Sequence, residues 1–95
     1  MDKIERFTAL MRYIEEKPEV LAQHTEEGQA LLEQIEQACQ TRDAQGLDEG
    51  IDGFLSLFMG AQAMRGFAPT GSQKAVEQFN SVRKATRSVL DKMQK

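Results

Sequence analysis

Tryptophan is missing from the 95 residues, cysteine and histidine occur once each, and aromatic residues make up only 6%. A single cysteine, Cys39, excludes an intramolecular disulfide framework and any cysteine-rich zinc site. No apolar run approaches the ~20 residues that a membrane-spanning helix requires. Residues 1–17 intersperse charged side chains among apolar ones and do not read as a secretory signal, so the cytoplasm is the expected location. The hydrophobic fraction of 40% matches ordinary globular proteins and excludes wholesale disorder. A chain of this length holds one hydrophobic core, hence one domain.

Charge of either sign is modest in total but unevenly placed. The net value of -3 weighs against general nucleic-acid binding. Residues 1–53 carry 13 acidic and 5 basic side chains, a balance of -8. Residues 54–95 carry 2 acidic and 7 basic ones, a balance of +5. Two helices of one domain could offset each other's fields in this way. Alternatively, one acidic and one basic surface serve different contacts, including head-to-tail self-association.

Apolar residues recur at three- and four-residue steps along most of the chain, which predicts helices and leaves no strand-like alternation. Residues 2–16 place Ile4, Phe7, Leu10, Met11 and Ile14 on one stripe, with Asp2 and Glu5 as a capping box. Pro18 interrupts this ladder and starts a second helix, predicted over 18–42. Its packed face holds Leu21, His24, Gly28, Leu31, Leu32, Ile35, Ala38 and Cys39. Gly28 weakens that helix locally and would admit a neighbouring backbone. Residues 41–50 form a break in which Thr41 or Asp43 caps the next helix and Gly46 closes a turn.

The third helix, predicted over 47–65, is the most apolar. One face carries Leu47, Ile51, Phe54, Leu55 and Phe58, and a second carries Gly50, Gly53, Leu57, Gly60, Ala61 and Met64. Two apolar faces suit a helix central to a core or covered by another subunit. Residues 66–71 form a turn-rich linker, and Ser72 caps a final helix over 72–92. The apolar stripe of that helix is Val76, Phe79, Val82, Thr86, Val89, Leu90 and Met93. The expected fold is therefore all-α: a small four-helix domain, antiparallel and bundle-like, open to completion by oligomerisation.

Chemistry is sparse. His24 has Glu27 one turn away but no nucleophile, metal ligand or oxyanion donor beside it, so a core-edge or interfacial histidine is expected. Cys39 lies on an apolar seam as a structural thiol. The E-x-x-H pattern of bundle metal sites is absent, and Asp48 with Asp52 make a same-face pair without a calcium loop around it. The 66–72 loop lacks the G-K-[ST] ending of a nucleotide-binding loop. A small-anion site there, with Arg65 or Lys74, is a minor alternative. No catalytic residue, cofactor or metal is assigned.

Two surfaces emerge as candidates. Leu47, Ile51, Phe54, Leu57, Phe58, Met64 and Phe67 are the protein-interface residues, and Arg65, Lys74, Arg83, Lys84 and Arg87 the basic surface. The favoured reading is a non-enzymatic interaction module, an adaptor, inhibitor or regulatory subunit that forms a homo-oligomer or binds a protein partner. A nucleic-acid-associated regulator using the basic final helix is the alternative; phosphate contacts along it would give affinity with little sequence selectivity.

Overall fold

A computed structural model describes residues 3–60 and 72–93. Four α-helices pack around one core: α1 (Lys3–Glu16), α2 (Thr25–Thr41), α3 (Ala44–Met59) and α4 (Ser72–Met93). Among the described residues there is no strand. The expected Asp2 cap, Ala61, Met64, Arg65, Phe67 and the 66–71 linker lie outside the described residues, and so does the side chain of the expected cap Ser72. The Lys74 side chain lies outside the described part as well, although its backbone belongs to α4.

The helical stripes meet inside the chain. Phe7, Met11 and Ile14 of α1, Leu32 and Ile35 of α2, Leu47, Ile51, Phe54 and Leu55 of α3, and Phe79, Val82, Val89 and Leu90 of α4 are all essentially inaccessible. Helix α2 packs most extensively against α3 and α4, while α1 packs mainly on α4. Helices α2 and α3 run antiparallel, with Leu31 beside Gly53 and Ile35 beside Gly50. By contrast α1 and α3 run the same way, since Lys3 meets Asp48 and Asp52 while Phe7 packs edge-on against Phe54. Val76 departs from its predicted place: it is exposed, and Ala75 occupies the core instead. Thr86 keeps its stripe position, fully buried, with no hydrogen-bond partner for its hydroxyl among the described residues.

The continuous helix expected over 18–42 is two elements. Pro18–His24 forms a 3₁₀ segment, and His24 then leaves helical geometry at φ -138° and ψ 38° before α2 begins. Proline has no N–H to give, and the chain tightens at once, Val20 N donating to Lys17 O at 3.1 Å. This local route still delivers Leu21 to the core.

A two-residue corner joins α2 to α3. Arg42 adopts the left-handed conformation (φ 56°), and Asp43 N donates to Ala38 O at 2.8 Å, closing α2 as a Schellman-type end. Asp43 also caps α3, its carboxylate accepting from Gly46 N at 3.0 Å. Helix α3 consequently starts three residues earlier than predicted, and Gly46 lies in its first turn rather than closing a loop. A Cβ at Gly46 would stand 2.6 Å from Asp43 Oδ2, so the missing side chain leaves room for the cap. The other end of α3 also differs from the prediction. Gly60 N donates to Ser56 O at 2.8 Å, and the positive φ of Gly60 (86°) ends the helix there.

The helical glycines are not equivalent. A Cβ on Gly50 would lie 2.7 Å from Ile35 Cγ1, and one on Gly53 would lie 2.9 Å from Leu31 Cδ2. These two glycines let α2 side chains press onto the α3 backbone. At Gly28 a Cβ would meet Leu21, Phe54 and Phe58 at 3.6–3.8 Å, which is ordinary contact. The close backbone approach anticipated at Gly28 is therefore absent. Gly28→Ala is expected to stabilise the fold by about 0.5–1 kcal/mol through helix propensity. Gly50→Ala is expected to destabilise it by about 1–2 kcal/mol, because overpacking against the buried Ile35 outweighs the same propensity gain. Urea unfolding of the two variants tests whether their signs differ.

Candidate interaction surface

The apolar interface candidates divide according to where α3 turns its faces. Leu47, Ile51 and Phe54 are fully enclosed within the single chain. They are core residues, which corrects their expected place on an intersubunit surface: α1, α2 and α4 already cover the face that carries them. Leu57 and Phe58 are half-buried, and Met59 at the end of α3 is exposed. Phe58 belongs to a line of rings that leads outward from the core. Phe7 meets Phe54 edge-on at 5.7 Å, Phe54 meets Phe58 at 4.7 Å, and Phe58 meets the His24 imidazole edge-on at 5.4 Å. His24 thus ends the line as a half-buried residue at the core edge.

The polar residues have structural explanations. Cys39 is a free, buried thiol. Burial pushes it up to about 11; the nearby Arg83 charge lowers it in part and Glu36 raises it. It is therefore protonated at neutral pH and a poor nucleophile. Asp48 and Asp52 face Lys3, whose side chain is 5% exposed and whose Nζ lies 2.5 and 2.6 Å from their carboxylates. Sequence reading found the two carboxylates but not the cation. Lys3 is 45 residues away from Asp48, and a lysine in a first helical turn carries no signal of burial. Among the described residues, no group of three His, Cys, Asp or Glu side chains could hold a metal ion, and no helix is long and apolar enough to cross a membrane.

Helix α4 brings Arg83, Lys84 and Arg87 together on its exposed side. Arg87 is engaged within the molecule, 3.5 Å from Glu36 across to α2 and 3.1 Å from Asp91 one turn along. Arg83 and Lys84 have no ion pair among the described residues. Lys84 and Ser88 stand on a ridge between two shallow furrows. The α2–α4 furrow is lined by Glu36, Asn80, Arg83, Arg87 and Asp91. The α1–α4 furrow is lined by Thr8, Arg12, Glu15, Gln78 and Ser81. A third furrow, between α2 and α3, has Glu33, Asp43 and Glu49 on its walls and no cation. The α2–α3 furrow thus carries acidic charge alone, whereas acidic and basic side chains share the two furrows beside α4. Comparison of the chain with protein-family models, curated proteins and solved structures gave no match.

Proposed function

We propose that this chain is a non-enzymatic helical protein-interaction module that meets an acidic protein surface through the exposed ridge of α4, in the manner of an adaptor, inhibitor or regulatory subunit. The observation that carries this reading is the state of Arg83 and Lys84. Both are exposed, neighbouring and without an ion pair among the described residues, while most of the apolar stripe residues are consumed in the core. Recognition then rests on charge more than on an apolar face, which favours fast, salt-sensitive encounter. Glu36 and Asp91 stand beside the same cations. They would repel a phosphate backbone but leave room for the mixed polar contacts of a protein rim, so a protein partner is preferred to nucleic acid.

Arg83→Glu combined with Lys84→Glu is the corresponding test. Both positions are exposed, so the melting temperature should stay close to that of the parent. Native mass spectrometry of the complex isolated from its own cells at low salt should show at least a tenfold loss of the bound partner. A partner retained at parental level, or a bare monomer from the parent protein, rejects the reading. Dependence of the complex on DNA or RNA would assign the ridge to nucleic acid instead.

A further inference from the structure

A pocket of about 160 Å³ lies where the end of α1, the 3₁₀ segment, the start of α2 and the end of α4 converge. Its apolar lining includes Ile14, Leu21 and Val89, which are buried, and Met93, which is half-buried. We propose that this pocket binds a small neutral molecule, one ring or a short chain in size, that places its apolar body among these four side chains and a hydrogen-bond acceptor oxygen at Lys92.

Size sets the first limit. An apolar cavity of about 150 Å³ accommodates a benzene ring, so this pocket suits one ring with a short substituent, about six to nine non-hydrogen atoms. The donors set the second. Thr25 lines the pocket, but its hydroxyl faces the backbone carbonyls of Leu21 at 3.2 Å and Ala22 at 3.4 Å. Lys92 also lines it, and its Nζ donates to Glu15 O at 2.9 Å, which leaves further N–H groups for a ligand acceptor. The ligand's charge follows from the lining. Ile14, Leu21, Val89 and Met93 would desolvate a charged ligand group, and one exposed lysine does not offset that cost. A neutral acceptor therefore fits better than a carboxylate or an amine.

The wall of the pocket supports a role beyond packing. The 3₁₀ segment Pro18–His24, whose last residue already leaves helical geometry, is still longer than the three or four residues such runs usually reach. That tighter winding places Leu21 on the floor of the pocket and Ala22 at its exposed mouth.

Methyl-region NMR of Ile14, Leu21, Val89 and Met93 gives the test, with acetophenone, toluene, benzoate and benzylamine as probes. Acetophenone is expected to shift these four residues saturably, with toluene about tenfold weaker for want of the acceptor. Lys92→Met should reduce acetophenone binding to the toluene level and leave toluene unchanged. Ala22→Phe, on the exposed mouth, should abolish binding of both while the melting curve is retained. Should Ala22→Phe fail to fold, the Lys92→Met comparison decides alone. Absence of saturable shifts, tighter binding of benzoate or benzylamine than of acetophenone, or equal loss of toluene in Lys92→Met overturns the proposal. None of these measurements involves Arg83 or Lys84, so the pocket and the α4 ridge stand or fall separately.

Discussion

Phe54→Ala is expected to lower the free energy of unfolding by about 3–4 kcal/mol. Phe54 is fully buried, meets Phe7 and Phe58 ring to ring, and faces Gly28, which offers no side chain to close the resulting cavity. Neighbouring α3 and α2 backbones are held by the contacts at Gly50 and Gly53, so relaxation into the void is limited. Against a total stability of about 5–15 kcal/mol for a domain, this loss leaves a fold near its threshold. Urea denaturation followed by circular dichroism measures it. A cost below about 1 kcal/mol would show that the ring is not enclosed by its own chain. Such a result would return Phe54 to the list of intersubunit contacts.

Lys3→Met should cost about 2–3 kcal/mol. Breaking a buried ion pair by removing one partner costs about 3–5 kcal/mol because the remaining charge is left uncompensated. Here two carboxylates remain, but Asp52 is 45% exposed and water screens it, which places the effect toward the lower end. Asp48, at 17% exposure, is the more deeply held of the two. Adding Asp48→Asn and Asp52→Asn to Lys3→Met removes the repulsion and should recover at least half of the loss. No recovery would mean that Lys3 contributes packing along its stem rather than charge.

The same cluster predicts a pH dependence of defined sign. Burial opposes the charged form of Lys3, but the hydrogen bonds and charges of Asp48 and Asp52 outweigh it and hold the ammonium above the ordinary lysine value of 10.5. The folded protein therefore keeps its proton to higher pH than the unfolded chain does. Stabilisation is complete below 10.5 and fades as the pH rises through the higher folded value. The stability difference between the parent and Lys3→Met should accordingly be constant near neutral pH and shrink only in strongly alkaline solution.

Periodicity made the helices legible because each must bury one stripe, and a stripe is a local property of the sequence. The Ile4–Ile14 and Phe79–Leu90 patterns located α1 and α4 to within a residue or two of their described ends. A cap at Thr41 or Asp43 was readable because capping chemistry is also local, and the fold selects Asp43. The break at His24 was less legible. A helical stripe continues through Leu21, His24 and Gly28, and only the backbone geometry after Pro18 reveals the 3₁₀ winding. The interface assignment of Leu47, Ile51 and Phe54 failed for a further reason. Apolar width says that a face must be covered, and the identity of the cover depends on how the other helices are arranged.

The 95 residues by themselves determined an all-helical fold and the separation of acidic from basic segments along the chain. Those properties follow from composition and from patterns shorter than one helix. Tertiary structure decided that the core closes over Leu47, Ile51 and Phe54, that Lys3 pairs with Asp48 and Asp52, and that Arg87 is ion-paired while Arg83 and Lys84 have no ion pair among the described residues. It also brought Ile14, Leu21, Val89 and Lys92 around one pocket. Each of these joins residues from different helices, and burial and pairing energies depend on distances that the order of residues along a chain does not set.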